Sequence, residues 1–320
     1  MTVVVLAQDC DAPVDRVVLA LAERSVPVFR ADLAWFPQQL TINAELIEGR
    51  WVGPLQSKHR SVDLDDIRSV WYRDPEAFRF PPVMTAVERQ FAFAEARLGL
   101  GGVLATLDAL WVNFPNRVCD AMYKPVQLVT AARCGLGVAR TLVTNDPDAV
   151  RRFAEASPHG LVHKTFGANV VTENGVPHVA FTRRFQAAGL ADLDGIEHTA
   201  HQFQDWLDGK AYEVRVIAVG EQLFPVAIHA TSPAAHLDWR SDYDALRYEL
   251  IELPLDVAEG IRRYLDSLGL TYAAFDFVVD HDGRYTFLES NSSGQFGWLE
   301  ANTGAPITDA LADLLARGAP

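Results

Sequence analysis

The chain has 320 residues, of which 49% are apolar and 22% charged, and these ordinary globular values exclude a disordered or collagen-like chain. The chain contains 28 Lys and Arg and 42 Asp and Glu, so its formal net charge is −14 when the nine His are counted as neutral. Such an acidic chain is a poor candidate for unspecific nucleic-acid binding, which depends on Lys and Arg at phosphates. At the usual domain size, this length predicts two or three domains.

The N-terminus and the cysteines bear on the cellular compartment. The first residues lack a basic segment and a long apolar run, and no apolar stretch reaches the ~20 residues that span a bilayer. Cys10, Cys119 and Cys134 are far apart and odd in number. We therefore expect reduced thiols in a cytoplasmic protein that has neither a membrane nor a nucleic acid as partner.

The first third predicts an α/β domain. Buried strands are expected at 3–7, 27–31 and 67–72, and apolar periodicity predicts a helix at 13–24. Alternating apolar residues in 39–64, with a turn at Glu48 and Gly49, predict an inserted hairpin.

A helix at 84–98 follows, and its end involves a glycine cluster. Met84, Val87, Phe91, Ala94 and Leu98 form one apolar stripe, which predicts the buried face, and Gly99 is expected just past the end. The clusters at Gly99 and Gly135 lack the spacing of a dinucleotide fingerprint, and no P-loop motif occurs. Both clusters are therefore interpreted as helix C-termini.

The remaining two thirds predict two α+β blocks, divided at about residue 200. His198 and His201 are three residues apart, but without a third ligand nearby they indicate a surface pair rather than zinc. The third block predicts two further hairpins. The other expected elements are a helix from Pro125 to Gly135, a helix from Asp146 and Pro147 to about 156, a strand at 161–164, a turn at Asn174 and Gly175, and a final helix near 306–316.

A carboxylate cluster near the C-terminus is the strongest sign of chemistry. The runs 272–280 and 285–291 predict a hairpin, and a two-residue turn at Asp282 and Gly283 makes paired residue numbers sum to about 565. Asp276 then lies directly opposite Glu289, and Asn291 shares the face of Glu289.

These oxygen ligands predict a magnesium site. Two carboxylates so close repel each other unless a cation or a shared proton intervenes, and oxygen-only ligands suit Mg²⁺ together with nucleotide phosphates. A solvated hairpin face fits less well, because Asp276 stands among apolar residues; a salt-bridged pair stays open.

Further polar residues are less specific by themselves. Lys124 and Lys164 are surface lysines by default, although Lys164 follows apolar residues and leads into a loop suited to phosphate. Glu213 and Arg215 share a strand face, where an acid for ribose hydroxyls would stand beside a cation for phosphate. A cross-strand ion pair explains them equally well.

The ordered set of these residues resembles an ATP-grasp ligase over essentially the whole chain. Segments around Trp71, Trp111, Ala139, Trp239 and Trp298 make it similar to the ATP-grasp ribosomal-peptide maturases, the graspetide or microviridin-type macrocyclases. One departure is Ala139, where the family often has proline. The resemblance implies a mixed α/β and α+β chain with the ATP-grasp fold and a Rossmann-like pre-ATP-grasp domain. The implied domains are 1–110 (N-terminal), 111–200 (central) and 201–320 (C-terminal).

The resemblance also implies roles for individual residues, with ATP and Mg²⁺ as cofactors. Arg215 would contact the phosphoryl group in transfer. Asp276, Glu289 and Asn291 would hold Mg²⁺. The residues implied for ATP are Lys124 and Lys164 at the phosphates, Gln204, Asp205, Trp206 and Leu207 at adenine, and Glu213 near ribose.

The implied reaction phosphorylates Asp or Glu side chains of a ribosomal precursor peptide, whose leader docks elsewhere, and closes an ester with Ser or Thr or an amide with Lys. The resemblance also allows a homodimer. Arg73, Arg183 and Arg240 are the candidate cations for the peptide carboxylate. Two rival functions are a ligase for free amino acids or a protein C-terminus, and a nucleotide-binding module without turnover.

Overall fold

A four-stranded parallel sheet of order β2-β1-β8-β9 organises the first third of the chain. The computed structural model describes residues 1–167, 170–173, 176–179, 183–185 and 193–318. None of the described helices is long and apolar enough to cross a membrane. The elements of this part are β1 (Thr2–Ala7), α1 (Ala12–Glu23), β2 (Val28–Ala31), β3 (Leu40–Ile42), β4 (Glu45–Ile47), β5 (Arg50–Val52), β6 (Pro54–Ser57), β7 (Ser61–Asp63), β8 (Ile67–Arg73), α2 (Ala86–Ala105) and β9 (Leu110–Val112).

The predicted strands and the first helix of this part are confirmed. Helix α1 begins where the Asp11 carboxylate accepts a hydrogen bond from the amide of Val14, which satisfies one of the free amides of the first turn. Its apolar face is buried through Val14, Val17 and Leu21. The insertion at 39–64 is more elaborate than the single hairpin expected: β3, β6 and β7 form one antiparallel sheet, and β4 and β5 form another.

Helix α2 corrects two predictions. It runs through Gly99 to Ala105 instead of ending before the glycine. Its buried face consists of Ala96, Leu100 and Leu104, whereas Val87, Phe91 and Leu98 of the expected stripe are exposed. The reason is that residues spaced by four near the helix C-terminus reach the core of the N-terminal domain, and the other apolar stripe points away from it.

The central part carries a four-stranded sheet of order β11-β16-β12-β15 and a separate pair of β13 with β14. The cap at Asp146 and Pro147, the strand at 161–164 and the helix after Pro125 are confirmed. The predicted turn at Asn174 and Gly175 lies outside the described residues. The elements are α3 (Pro115–Ala121), α4 (Lys124–Arg133), β10 (Gly137–Val138), β11 (Thr141–Thr144), α5 (Pro147–Glu155), β12 (Leu161–Lys164), β13 (Val170–Glu173), β14 (Val176–Val179), β15 (Arg183–Phe185) and β16 (His201–Asp205).

The last third is built on a six-stranded sheet of order β10-β21-β20-β17-β18-β19. Both predicted hairpins and the final helix are present. The elements are β17 (Lys210–Val219), β18 (Gln222–Ala230), α6 (Pro233–Leu237), β19 (Leu246–Leu250), α7 (Leu255–Leu268), β20 (Tyr272–Asp280), β21 (Tyr285–Asn291), α8 (Gly297–Thr303) and α9 (Ile307–Arg317).

Two connections tie these parts together. Strand β10 pairs in parallel with β21, and a Cβ at Gly137 would lie 2.7 Å from the carbonyl oxygen of Tyr285, so only glycine permits this approach. At the other end, α9 packs against α1 and β8 in one shared core. Arg24 donates to Asp309 at 2.9 Å, and the Ser69 hydroxyl donates to the carbonyl of Leu315 at 2.9 Å. The domain division at 110 and 200 stays a prediction.

Candidate functional site

A cavity of about 570 Å³ lies between the four-stranded central sheet and the six-stranded sheet. It brings together twelve of the fourteen residues singled out from the sequence, drawn from helix α4, strands β12, β16, β17, β20 and β21 and the loops beside them. These residues are Lys124, Lys164, Gln204, Asp205, Trp206, Leu207, Glu213, Arg215, Arg240, Asp276, Glu289 and Asn291.

The β20–β21 hairpin places the two carboxylates as the sequence predicted. Asp276 pairs with Glu289, and Asn291 pairs with Ala274 two residues along the same face. The predicted turn is wrong, however. Asp280 organises a longer connection, because its Oδ1 accepts the amides of Asp282 and Arg284, each at 2.9 Å.

A bulge explains why the register at the site survives this difference. Pairs near the turn sum to 564, as for Val278 and Thr286, whereas Asp276 and Glu289 sum to 565. Leu288 is therefore the extra residue of a bulge that lies between the turn and the carboxylates. The bulge offsets the altered turn, so the expected opposition of Asp276 and Glu289 is restored.

Each carboxylate is paired with a cation in this structure. Arg215 Nη1 lies 3.2 Å from both oxygens of Asp276, and Lys124 Nζ lies 2.7 Å from Glu289 Oε2. Burial raises the pKa of Asp276 to about 6, although Arg215 opposes the shift. Burial acts in the same direction on Glu289, but Lys124 and Lys164 outweigh it and lower the pKa of that carboxyl. The two acids thus differ in their tendency to carry charge.

The donor set fits a magnesium ion that shares its ligands with a bound molecule. No group of three or more His, Cys, Asp or Glu suited to a metal occurs in the part of the chain that the structure describes. Asp276, Glu289 and Asn291 supply oxygen donors only, and all three line the cavity. Mg²⁺ commonly takes one or two protein carboxylates and completes its shell with phosphate and water oxygens. The cations Lys124 and Lys164 beside these oxygens suit such phosphates.

Lys164 ends β12 and points into the same cavity. Burial lowers the pKa of its ammonium to about 8, and Glu289 partly offsets the shift. A cation that has lost part of its hydration interacts strongly with an anion that enters the cavity.

The opposite wall is formed by residues at and after the end of β16. The side chain of Asp205 is already engaged, since Arg140 donates to both its oxygens at 3.0 Å and the Ser157 hydroxyl donates at 2.7 Å. The backbone amide of Asp205 also donates to the carbonyl of Arg140 at 3.0 Å, so both the side chain and the amide of this residue are held within the protein. Trp206 is covered by Arg184, whose guanidinium carbon lies 4.5 Å from the ring centroid.

Glu213 has a partner that the sequence did not reveal. Lys210 Nζ donates to Glu213 Oε1 at 2.8 Å in a buried pair. Burial raises the pKa of Glu213, and Lys210 opposes this. Residues three apart on a regular strand point to opposite faces, but a bulge at Ala211 shifts the register of β17 and puts Lys210 on the face of Glu213, which strand periodicity does not reveal.

Arg240 lies on the loop that closes one side of the cavity. Its Nε and Nη2 each donate to a different oxygen of Asp238 at 2.9 Å, while the Arg240 side chain stays 38% exposed. Beside it, Trp239 packs on Trp298 with centroids 5.1 Å apart, and the guanidinium of Arg215 lies 6.0 Å from each ring. These aromatic residues form an apolar wall next to two cations, and their contacts were not predicted from the sequence.

Arg73 does not line the cavity. Arg73 is 3% exposed and donates to the carbonyls of Ser293 and Gly294, so its position does not support contact with a peptide carboxylate. The buried strand β8 carries its last residue beneath the 292–294 loop rather than into a cleft. Arg183 lies on β15, and its side chain is outside the described residues.

A set of buried amide and hydroxyl groups holds strand β21 in place. Gln127 Nε2 donates to the Ser290 carbonyl at 2.9 Å, and its Oε1 accepts the Ser290 amide at 3.1 Å. Asn113 donates to the carbonyls of Tyr272 and Ser292 at 2.7 and 2.9 Å. Both residues were missed as functional candidates, because a single buried amide gives no periodic signal in a sequence. They fix the strand that carries Glu289 and Asn291.

We assign no function to the three cysteines or to the pair of histidines noted in the sequence. Cys10 and Cys119 are exposed and Cys134 is buried, all as free thiols. His201 is not paired with His198 on a surface helix; it lies on β16, with its Nδ1 3.1 Å from His163 Nε2 on β12. His201 contacts His163 because β12 and β16 are paired in the central sheet, a contact that spacing along the chain does not predict.

Comparisons with known proteins agree with this arrangement. Residues 2–118 match the family model of the MvdD pre-ATP grasp domain. A RiPP-associated ATP-grasp ligase from Chryseobacterium gregarium, solved with ADP and a leader and core peptide, is 28% identical, with 99% of this chain and 97% of that chain covered and a TM-score of 0.90. The macrocyclase MdnC from Microcystis aeruginosa MRC, bound with precursor peptide MdnA, is 28% identical, with 99% and 100% covered and a TM-score of 0.84.

A further solved structure includes a metal. The ATP-grasp ligase PsnB, complexed with minimal precursor, Mg and ADP, is 26% identical, with 98% of this chain and 96% of that chain covered and a TM-score of 0.72. No curated protein matches the chain in sequence. The resemblance noted from the sequence, the ATP-grasp fold and the pre-ATP-grasp domain are confirmed by these comparisons.

Proposed function

We propose that this chain, an ATP-grasp ligase whose first domain matches the MvdD pre-ATP grasp model, cyclises a ribosomally made precursor peptide with ATP. Side-chain carboxylates of Asp or Glu are activated and joined to Ser or Thr hydroxyls, or to a Lys amine, of the same peptide. Two similar ligases, which the chain covers over nearly their whole length, were solved with a precursor peptide or with a leader and core peptide, which supports a peptide as substrate.

The observation that carries this proposal is the composition of the cavity. Two opposed carboxylates and an amide, suited to Mg²⁺, stand next to two lysines suited to phosphates. Beyond them lie Arg215, Arg240 and the Trp239–Trp298 wall, which suit a side-chain carboxylate whose methylene groups pack on an apolar surface. A nucleotide-binding module without turnover would not need these two arginines and the aromatic wall in addition to the phosphate and metal ligands.

The proposed reaction has two steps. An oxygen of the substrate carboxylate attacks the γ-phosphorus of ATP, the bond to the β–γ bridging oxygen breaks, and ADP leaves. A hydroxyl or amine of the same peptide then attacks the acyl carbon, loses its proton, and releases inorganic phosphate.

The residues of the chain act by position and charge. Lys124 and Lys164 would bind the phosphates, and Arg215 would stabilise the negative charge that moves during transfer. Arg240 would hold the substrate carboxylate against the negatively charged nucleotide. Asp276, Glu289 and Asn291 would hold Mg²⁺, which neutralises phosphate charge when it is bound. No covalent intermediate with the protein is required.

The experiment that tests the function measures ADP release from the purified protein with Mg²⁺. ADP formed only with a precursor peptide, together with loss of 18 Da of water per ring by mass spectrometry, is the expected result. ADP formed with free amino acids alone would show the first rival activity. An absence of ADP in all mixtures, with nucleotide binding retained, would leave a binding module and contradict the proposal.

A further inference from the structure

The 292–294 loop follows Asn291, and its three carbonyl oxygens are all held by side chains from distant parts of the chain. Asn113 Nδ2 donates to the first of them at 2.9 Å. Arg73 Nη1 donates to the second and also, at 3.2 Å, to the third, which accepts the Tyr272 hydroxyl as well. Arg73, the last residue of β8, therefore holds two of the three carbonyls from the N-terminal sheet.

The same peptide planes orient Asn291. The peptide bonds of this loop are trans, so a carbonyl and the amide that follows it point in opposite directions within one plane. The Ser293 amide donates to Asn291 Oδ1 at 2.8 Å, and the Gly294 amide donates to the Asn291 carbonyl at 3.1 Å. Because Arg73 holds the Ser293 carbonyl, it also sets the direction of the Gly294 amide.

The hydrogen bond from Ser293 fixes the orientation of the Asn291 side-chain amide. Only the oxygen of this amide can accept an N–H, so Oδ1 and not Nδ2 lies next to the Ser293 amide. The oxygen has a second lone pair, which is left for a cation in the cavity that Asn291 lines. Groups that hydrogen-bond a metal ligand orient it, and their loss typically weakens metal binding about 10- to 100-fold.

Arg73 is a costly residue for a contact that only supports the fold. Its side chain is 3% exposed, and the carboxylate of Asp11 lies 3.5 Å from Nε. Its Nε and Nη2 have no hydrogen-bond partner among the described residues. Burial of a cation with unsatisfied N–H groups lowers stability unless other contacts offset it. Unpaired buried donors are rare in folded proteins, so these two call for a reason beyond packing.

The 292–294 loop also packs closely against β20. A Cβ at Gly294 would lie 2.3 Å from the Cβ of Ala274 and 3.2 Å from Nη2 of Arg215, so this approach requires glycine. The loop therefore lies beside both Asn291 and the arginine suited to the phosphoryl group. A shift of the loop would disturb the two residues together.

We propose that Arg73 is a positioning residue for the metal site, which fixes the 292–294 loop and thereby keeps Asn291 Oδ1 in place for Mg²⁺. This inference rests on the metal site of the proposed function. None of the described residues before Ala121 lines the cavity. Through Arg73, the N-terminal sheet nevertheless contributes to the geometry of the metal ligands.

Calorimetry of ADP binding with and without Mg²⁺ tests the proposal on the full-length protein, independently of any peptide. Arg73→Lys keeps the charge but replaces the planar fork by a point charge, so the gain in ADP affinity from Mg²⁺ should fall roughly tenfold. Arg73→Met should lose more, up to about 100-fold. Both variants should bind ADP as the wild type does when Mg²⁺ is absent.

Arg68→Lys is the matched control. Arg68 lies on the same strand, donates to the carbonyl of Ala316, and also has a buried Nε without a partner. It does not contact the 292–294 loop, so its substitution should leave the effect of Mg²⁺ on ADP affinity unchanged, whatever the change in melting temperature. An equal loss in Arg68→Lys and Arg73→Lys would show a general effect of folding and would overturn the proposal.

A double-variant cycle tests whether Arg73 acts through Asn291. In an Asn291→Ala protein, Arg73→Lys should cause no further loss of the Mg²⁺ effect, and additive losses would overturn the proposal. If Asn291→Ala alone behaves as the wild type, the metal assignment in the proposed function is wrong and this inference fails with it. Impaired Asn291→Ala beside normal Arg73→Lys and Arg73→Met overturns only the positioning role.

Hydrogen exchange of the protein without ligands gives a measurement that involves neither metal nor activity. The amides of the 292–294 loop should exchange at least about tenfold faster in Arg73→Lys than in the wild type or in Arg68→Lys. Tyr272→Phe removes only a hydroxyl from the same loop and should give a smaller change in the same direction, also if Arg73→Met does not fold. Unchanged exchange in both Arg73→Lys and Tyr272→Phe would overturn the proposal.

Discussion

Arg215 on β17 and Asp276 on β20 lie directly opposite each other, and the guanidinium contacts both carboxylate oxygens at 3.2 Å. On its other side Asp276 faces Glu289 across β20 and β21. A proposed magnesium ligand thus stands between a cation and a second acid. Binding of a divalent cation would relieve the repulsion between the acids and release Arg215 for the phosphoryl group.

The first prediction concerns the metal. Glu289→Gln keeps the shape of the side chain but removes its charge, so Mg²⁺ should bind more weakly and cyclisation should fall at least about 100-fold. The measurement is ring formation by mass spectrometry over a range of Mg²⁺ concentrations. Glu221→Gln is the control, since the Glu221 side chain is 91% exposed and far from these contacts. Near-normal turnover of Glu289→Gln at millimolar Mg²⁺ would contradict the assignment.

The second prediction concerns the dependence of nucleotide affinity on pH. The lowered pKa of Lys164, about 8, means that the free enzyme loses this positive charge at mildly alkaline pH. Since the protonated form binds phosphate, ADP affinity should fall about tenfold between pH 7 and pH 9. In Lys164→Arg this fall should be absent, because arginine stays protonated, although a planar fork replaces a point charge. Calorimetry at several pH values measures the ADP affinity. An affinity of the wild type that does not change with pH would rule out phosphate binding by Lys164.

The same shift has a consequence for stability. Between pH 8 and the ordinary value of 10.5, the unfolded chain binds a proton at Lys164 that the folded chain does not. The contribution of Lys164 to the free energy of unfolding therefore rises with pH in this window. Lys164→Met should remove that rise, as measured by urea denaturation at pH 8 and pH 10.

The sequence predicted the carboxylate pair better than it predicted the turn. Strand alternation and pairing depend on local periodicity, which placed Asp276 opposite Glu289. The Asp280 side chain that reorganises the turn, and the bulge at Leu288 that compensates, depend on single hydrogen bonds that no periodicity records. The turn and the bulge each shift the strand register by one residue, in opposite directions. The predicted pairing of Asp276 with Glu289 therefore holds although the predicted turn does not.

Elsewhere in the chain, the sequence mainly failed to predict which side chains are buried by residues far away along the chain. For α2 the stripe with the clearest periodicity is exposed, because tertiary position and not amphipathicity decides which face meets the core. Arg73 was expected in the cleft from the end of its strand, whereas its guanidinium lies under the loop after Asn291. Contacts between residues over 200 positions apart cannot be read from spacing along the chain.

The third prediction concerns the support of strand β21. Asn113→Ala leaves the amides of Thr271 and Tyr272, of which the second is buried, and the carbonyl of Ser292 without the Asn113 side chain as partner. At 1–3 kcal/mol for each such group, the free energy of unfolding should fall by roughly 3 kcal/mol or more. Urea denaturation measures the loss, and Asn302→Ala, at an exposed position, should cost less than about 0.5 kcal/mol. Equal stability of the two variants would show that Asn113 does not hold the strand.

The last prediction assigns the peptide carboxylate to Arg240. A charge-assisted hydrogen bond is worth about 1.5–3 kcal/mol, so Arg240→Ala should raise KM for the precursor roughly 10- to 100-fold while ADP affinity stays the same. Because Arg240 also pairs with the buried Asp238, the double variant Arg240→Ala/Asp238→Asn separates loss of a substrate contact from the effect of breaking that ion pair. Steady-state kinetics with varied precursor and calorimetry with ADP provide the two measurements. A rise in KM that the second substitution reverses would make Arg240 a partner of Asp238 alone, and weakened ADP binding would move it to the phosphate side of the cavity.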